Sequence, residues 1–263
     1  MKSQAFVTLA ACLWMGSGAG AHGSGEVDLE LVLAVDVSRS MDLREQELQR
    51  EGYVNAFRHP EVISAIGSGM LGRIAVTYIE WAGPGSQKIV VPWMVIDGDE
   101  SANAFADRLD TQISRLRGTS ISGALRFAST LFGGNGIEGM RRVIDISGDG
   151  PNNMGPAVVP VRDAVLADGV TINGLPIMLN AANDGFYSIR DLDIYYEDCV
   201  IGGPGAFLVT VESSDRFTEA IRRKLVLEIA GAEPELMPVA MLGEKPRIDC
   251  RIGERMRERW MRE

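Results

Sequence analysis

The sequence predicts an α/β fold: a doubly wound, mostly parallel sheet with one antiparallel edge strand and helices on both faces. Three observations carry this expectation. The near-continuous apolar runs Leu31-Val32-Leu33-Ala34-Val35 and Val143-Ile144-Asp145-Ile146 read as strands buried on both faces, as parallel strands are. Strand-like runs alternate along the chain with stretches of helical periodicity, the pattern of a sheet covered by crossover helices. One strand pair is joined only by Gly83-Pro84-Gly85-Ser86, too short for a crossover, so that pair is antiparallel.

In chain order, residues 28–35 form a central strand, and 43 to about 57 a helix with Asp42 as its N-cap. Residues 73–81 form a strand rich in β-branched and aromatic side chains, and 88–96 return as its hairpin partner. The Asp97-Gly98-Asp99 turn leads to a helix over 101–116, in which Ala104, Leu109, Ile113 and Leu116 fall near one face. A loop, Arg117-Gly118-Thr119-Ser120, precedes a helix over 122–132. Residues 133–139 are a flexible link, 142–147 a buried strand, and 158–167 a helix closed by Gly169. Residues 170–178 form a strand with an irregular end at Gly174 and Pro176. Residues 180–205 receive no assignment, 206–211 form the last strand, and Ser214 caps a helix over 215–229 that Gly231 ends. Right-handed crossovers place the carboxyl ends of the parallel strands along one edge.

The 263 residues are 46% hydrophobic and 24% charged, an ordinary globular composition. A formal net charge of −10 argues against a nucleic-acid partner, whose phosphates need Lys and Arg. The N-terminus reads as an export signal over 1–21: Lys2 is the positive region, Ala5 to Met15 the apolar core, and Ala19-Gly20-Ala21 the cleavage site. Leu9-Ala10-Ala11-Cys12 is similar to a lipoprotein box, which would anchor the chain at Cys12 instead. No segment is long and apolar enough to span a bilayer. The expected division is a leader (1–21), a domain (22–231) with its folded body from about residue 26, and a tail (232–263). Loss of Cys12 with the leader leaves Cys199 and Cys250, which in an exported chain form one disulfide tying the tail to the body, or else stay as two buried thiols.

Three segments carry chemistry. Asp36-Val37-Ser38-Arg39-Ser40 follows the first strand, Thr119 lies in a loop before a helix, and Asp149 ends the strand that runs through Ser147 and Gly148. Sites in open α/β sheets lie at the carboxyl ends of strands. There, Asp36, Ser38, Ser40, Thr119 and Asp149 would offer two carboxylates and three hydroxyls, an all-oxygen donor set suited to Mg2+, Mn2+ or Ca2+. Neutral hydroxyl ligands leave the ion electrophilic enough to take one more carboxylate from outside. Taken singly, each residue has a plainer role: Asp36, Ser38, Ser40 and Thr119 as helix-cap or turn residues, and Asp149 as turn chemistry.

With these five residues in this order, the chain resembles the von Willebrand factor type A family and its metal-ion-dependent adhesion site. Asp36, Ser38 and Ser40 match the family's DxSxS motif, Thr119 its loop threonine, and Asp149 its later aspartate. The resemblance covers about residues 26–231 and is nearest to a group of exported bacterial proteins with this domain. It implies a periplasmic, non-enzymatic module with one divalent cation, Mg2+ first, that binds a protein partner through an Asp or Glu of that partner.

A second resemblance competes. Haloacid-dehalogenase-like phosphatases also begin with a buried strand ending in Asp, and Gly148-Asp149-Gly150-Pro151-Asn152-Asn153 is similar to their later magnesium motif. Here Ser38 stands where their general acid would be, and a serine hydroxyl cannot protonate a leaving group near neutral pH as a carboxylic acid can. Asn153 also replaces a final Asp. Other signals are weaker. Gly134-Asn135-Gly136-Ile137-Glu138-Gly139 matches GxGxxG but precedes a strand, the wrong context for a dinucleotide. The two histidines, His22 and His59, support neither a hydrolase triad nor a zinc site. In the tail, Ile252, Met256 and Trp260 recur at helical spacing among Arg251, Arg255, Arg257, Arg259 and Arg262. A helix packed on its own domain is favoured over a surface helix for an anionic membrane or acidic partner, because Glu254, Glu258 and Glu263 offset the arginines.

Overall fold

The computed structural model describes residues 25–179, 188–231 and 247–262. The strand β2 (Leu29–Asp36) lies at the centre of a five-stranded sheet. Its neighbours are β3 (Ile74–Trp81) and β6 (Arg142–Gly148), both parallel to it. Beyond β6 comes β7 (Thr171–Pro176), also parallel. Beyond β3, β4 (Gln87–Ile96) closes the other edge as the antiparallel strand. A small parallel pair, β1 (Gly25–Val27) with β5 (Ile137–Gly139), sits apart.

Every residue of β2 is buried, which is why its sequence does not alternate in polarity. Leu29, Leu31, Leu33 and Val35 pack on one face, against α1 (Leu43–Phe57), α2 (Pro60–Gly67), α3 (Asp99–Leu109) and α7 (Phe217–Ala230). Val32 and Ala34 pack on the other, against α4 (Ile121–Thr130), α5 (Val158–Ala167) and the short α6 (Leu192–Tyr195). Each leucine so enclosed contributes roughly 1.5–3 kcal/mol relative to exposure.

Helix α1 is the polar member of its layer. Asp42 and Glu45 cap it reciprocally, each carboxylate accepting the other's backbone N–H at 2.8 Å. Its buried face carries Gln46, Gln49 and Arg50. Gln46 donates to the Ser38 carbonyl (2.9 Å) and Gln49 to the Ser147 hydroxyl (2.7 Å), so the helix binds the ends of β2 and β6 together. Arg50 donates to the Leu109 carbonyl (2.6 Å) and pairs with the buried Glu80 of β3.

Several sequence expectations need correction. The helix expected over 101–116 stops at Leu109. Arg50 takes the Leu109 carbonyl, and Leu116 instead donates to the Val37 carbonyl at 3.1 Å, bridging to Ser38. Tertiary bonds to the β2 loop override the apolar spacing of Ile113 and Leu116. His59, which the sequence places before Pro60 in a loop, instead lies at the N-cap of α2, whose Pro60 occupies the first turn, where a missing N–H is harmless. The Gly-rich link of 133–139 contains β5. Residues 206–211 run beside β7 through isolated bridges rather than a ladder. Pro176 has no N–H to give, and the Asn173 side chain takes the Phe207 N–H (3.0 Å). The export leader, Cys12, His22 and residues 180–187 and 232–246 lie outside the described residues.

Cys199 and Cys250 form a disulfide with a Cα–Cα distance of 5.5 Å. It joins the π-helical turn Tyr196–Val200 to the base of the C-terminal helix α8 (Ile252–Trp260).

The Arg50–Glu80 pair generates a stability prediction. Arg50→Met leaves Glu80 buried without its cation and lowers stability by about 3–5 kcal/mol. The double variant Arg50→Met/Glu80→Leu recovers most of the loss. Urea midpoints of the three proteins check both statements.

Candidate metal centre

Parallel register brings the site together. Asp36, the last residue of β2, pairs with Trp81 of β3, and Val35 pairs with Ser147 of β6, so the chain leaves β6 at Gly148 beside Asp36. The Asp36 carboxylate folds the next loop back on itself: its Oδ1 accepts the Ser38 N–H at 2.7 Å. Ser38 and Ser40 hydroxyls lie 2.7 Å apart, and Ser40 donates to Asp149 Oδ1 at 2.7 Å. Four of the five sequence-selected residues therefore form one continuous chain of polar contacts. Asp36 and Ser38 are buried, whereas Ser40 stands at the exposed rim.

Thr119 reaches the same edge through its backbone. Its N–H donates to Asn153 Oδ1 (3.0 Å), and its carbonyl accepts from the N–H groups of Asn153 (2.9 Å) and Met154 (3.1 Å). Asn152 Oδ1 accepts the Ser122 N–H at 3.1 Å. The Asn152-Asn153 pair thus laces the Thr119 loop to the Asp149 loop. In the sequence these residues stand out only as part of an imperfect phosphatase motif. The available signal was two adjacent amides following a strand-end Asp. Tyr196 was missed altogether. Among the described residues its buried hydroxyl has no hydrogen-bond partner, and it lies near Asp36 and Asp149, whose charges, after burial itself, push its pKa well up. Gly148 leaves this space open. A Cβ there would stand 2.9 Å from Tyr196 Oη and 3.1 Å from Asp36 Oδ2.

The electrostatics are those of two acids without a countercharge. Among the described residues, neither Asp36 nor Asp149 makes an ion pair. Burial, then the Asp149 charge, hold the Asp36 carboxyl well above its ordinary range, against the pull of the Ser38 amide and hydroxyl and of the Asp149 amide. Burial also pushes Asp149 up to about 6; the Ser40 hydroxyl opposes this and Glu45 adds to it. Among the described residues, nothing donates a well-formed hydrogen bond to the fully buried Asp36 Oδ2. Such an orphaned acceptor is costly unless something positive meets it.

The donors fit a hard cation. Among the described residues no three His, Cys, Asp or Glu side chains cluster as metal ligands, so any ion here must rely on hydroxyls beside two carboxylates. An oxygen-rich, thiolate-free set of this kind suits Mg2+, Mn2+ or Ca2+.

Helix α8 seals the flank of the Asp149 loop. Glu254 Oε1 accepts from Asn152 Nδ2 at 2.7 Å, and Arg257 reaches the Asn153 carbonyl at 3.5 Å. Gly253 sits so close that a Cβ would lie 2.2 Å from the Asn152 carbonyl oxygen. The tail helix therefore packs on its own domain.

The raised carboxyls set a pH dependence for the metal-free protein. A carboxyl whose folded pKa is raised favours folding while protonated, so this contribution is full below the unfolded value and is lost as pH rises through about 6 for Asp149. Asp149→Asn removes that loss. Urea midpoints in chelator at about pH 5 and about pH 7.5 show the variant gaining on wild type at the higher pH.

The comparisons with known proteins bear on this site. The sequence profile of a family described as "Protein of unknown function (DUF1194)" matches residues 26–233. No curated protein matches the chain. Solved structures with the same fold include the pilus adhesin SpaC from Lactobacillus rhamnosus GG in its open conformation. It has a TM-score of 0.57 at 16% identity, over 78% of this chain and 30% of that one. Proximal thread matrix protein 1 from the mussel byssus, with a zinc-occupied MIDAS motif, gives a TM-score of 0.53 at 12% identity, covering 77% of this chain and 46% of that one. A von Willebrand factor type A structure from Catenulispora acidiphila gives 0.52 at 12%, covering 77% and 43%. This chain thus spans less than half the length of each of these proteins. It belongs to the DUF1194 family, and its fold is that of a von Willebrand factor type A domain.

Proposed function

We propose that this chain is an exported, metal-dependent protein-binding module that recognises an acidic side chain of a protein partner. Asp36, Ser38, Ser40, Thr119 and Asp149 would hold one divalent cation, Mg2+ first and Mn2+ or Ca2+ next. The observation that carries the reading is the buried, unpartnered Asp36 Oδ2 beside a second carboxylate and two hydroxyls, with no ion-paired cation among the described residues. A cation there would satisfy the orphaned oxygen and offset the burial that raises both acids, together with the Asp149 charge that adds to it at Asp36. With only two anionic ligands it would keep enough positive character to attract a third carboxylate. The mussel protein with its zinc-occupied MIDAS motif, similar in fold, supports a divalent ion at this sheet edge. Export rests on Lys2, the apolar run from Ala5 and Ala19-Gly20-Ala21. It agrees with a tail tied by a disulfide, which persists in oxidising compartments. A periplasmic location is the simplest outcome. Among the described residues no helix is long and apolar enough to cross a membrane.

The metal reading predicts stabilisation by mass action. Magnesium at about a hundred times its Kd adds about 2.7 kcal/mol, and Asp36→Ala abolishes the gain. Thermal melts with Mg2+ and with chelator check this, and identical curves for both proteins would sink it.

The recognition reading predicts capture of a partner from envelope extract in Mg2+, release by chelator, and competition by a peptide rich in Asp and Glu. Capture unchanged by chelator, with the melting curve still metal-sensitive, would mean the ion only locks the loops. Mg2+-dependent hydrolysis of phosphate esters, lost in Asp36→Asn, would replace the binding module with an enzyme.

A further inference from the structure

Tyr196 is fully buried on the sheet face that carries α4 and α5, and it opens the π-helical turn. The Ile201 N–H donates to its carbonyl at 2.9 Å, a register one residue wider than that of an α-helix. Such turns are rare and frequently stand at functional sites. The preceding residue already serves the loops of the metal centre: the Tyr195 hydroxyl accepts the Asn152 N–H at 3.1 Å. Two glycines make room for Tyr196. A Cβ at Gly174 of β7 would stand 2.7 Å from its ring carbon Cδ1, and a Cβ at Gly148 of β6 would stand 2.9 Å from its hydroxyl. The ring therefore crosses β7 and β6 toward Asp36 at the end of β2. The same Gly148 position lies 3.1 Å from Asp36 Oδ2, so hydroxyl and carboxylate converge over one glycine. Among the described residues neither oxygen has a well-formed hydrogen bond. A phenylalanine ring would fill the same apolar layer without burying a polar atom, so packing alone does not account for the hydroxyl.

We propose that Tyr196 is a positioning residue of the metal centre: its hydroxyl donates to Asp36 Oδ2, or to a water held on it, and fixes the carboxylate for the ion. This role rests on the proposal of a divalent cation at this sheet edge. A phenol, with an ordinary pKa of about 10, keeps its proton at neutral pH and can donate. An ionised carboxylate oxygen carries more than one lone pair, so Oδ2 can accept this hydrogen bond and still meet a cation. Asp36 Oδ1 is already held by the Ser38 N–H at 2.7 Å. The torsion that turns a carboxyl group is broad, and a second anchor on the other oxygen narrows it. The buried surroundings of Trp81 and Tyr196 strengthen such a bond relative to water. Groups that orient a metal's ligands without touching the metal typically change its affinity about 10–100-fold when they are removed.

Calorimetric titration of the metal-free protein with Mg2+ tests the role, with Tyr196→Phe as the variant. Phenylalanine keeps the ring and removes only the oxygen. The expected dissociation constant is about 10–100-fold weaker in the variant. Its urea midpoint in chelator is expected to equal that of wild type or exceed it, because the fold no longer buries an unpartnered hydroxyl. A packing role would not move affinity and metal-free stability apart in this way. Clear uptake by wild type with an unchanged constant in Tyr196→Phe overturns the role of Tyr196 and leaves the cation proposal standing. A weaker constant accompanied by a lower midpoint in chelator also overturns the role, since the hydroxyl would then support the fold. Wild type that takes up none of Mg2+, Mn2+ and Ca2+ overturns the cation proposal itself, and the role of Tyr196 with it.

Discussion

The parallel pairing of β2 with β3 on one side and β6 on the other is the constraint on which the molecule depends. It brings Asp36, Trp81 and Gly148 to one edge in register, and the loops that follow have no choice but to meet there. A slip of one residue would turn Leu31 and Leu33 to the wrong layer, so the burial of the leucines also fixes where the carboxylate emerges. Core packing and site geometry are thus one specification.

Around that edge, polar contacts do what apolar packing does elsewhere. The first half of helix α1 has few apolar residues on its inner face, where Tyr53, Ala56 and Phe57 enter the core only towards its end. It holds its place through Gln46, Gln49 and Arg50, each reaching a different segment of the sheet or its loops. Asn152 and Asn153 bind the Thr119 loop to the Asp149 loop, and α8, tethered through Cys250, presses on the same pair. Hydrogen bonds with directional requirements suit this task better than dispersion, because they fix loops that lack regular structure. Among the described residues, what Asp36 and Asp149 still lack is a positive charge.

The two acidic clusters of the domain differ in how that lack is met. Asp145 and Glu228 enclose Lys224, a cation supplied by the chain itself. Asp36 and Asp149 form no ion pair among the described residues, and Ser40 at the exposed rim leaves their site reachable from outside. An internal cation makes a closed unit of the first. Access to solvent makes the second a place for a ligand.

Much of this was legible in the chain. Buried parallel strands declare themselves by unbroken apolar runs, and strand ends with Asp and Ser declare a site, because both are local patterns enforced by neighbours close in sequence. Asp42 and Gly231 marked helix ends for the same reason. What the sequence left open was decided by partners far along the chain. The end of α3 was set by Arg50 and Val37, not by the spacing of Ile113 and Leu116. The last strand was reduced to bridges by Pro176 and the Asn173 side chain. Tyr196, Asn152 and Asn153 entered the site, and Lys224 met Asp145, only once the sheet had folded. Periodicity records which way a side chain faces; which distant group it meets there depends on tertiary packing, and that no local pattern encodes.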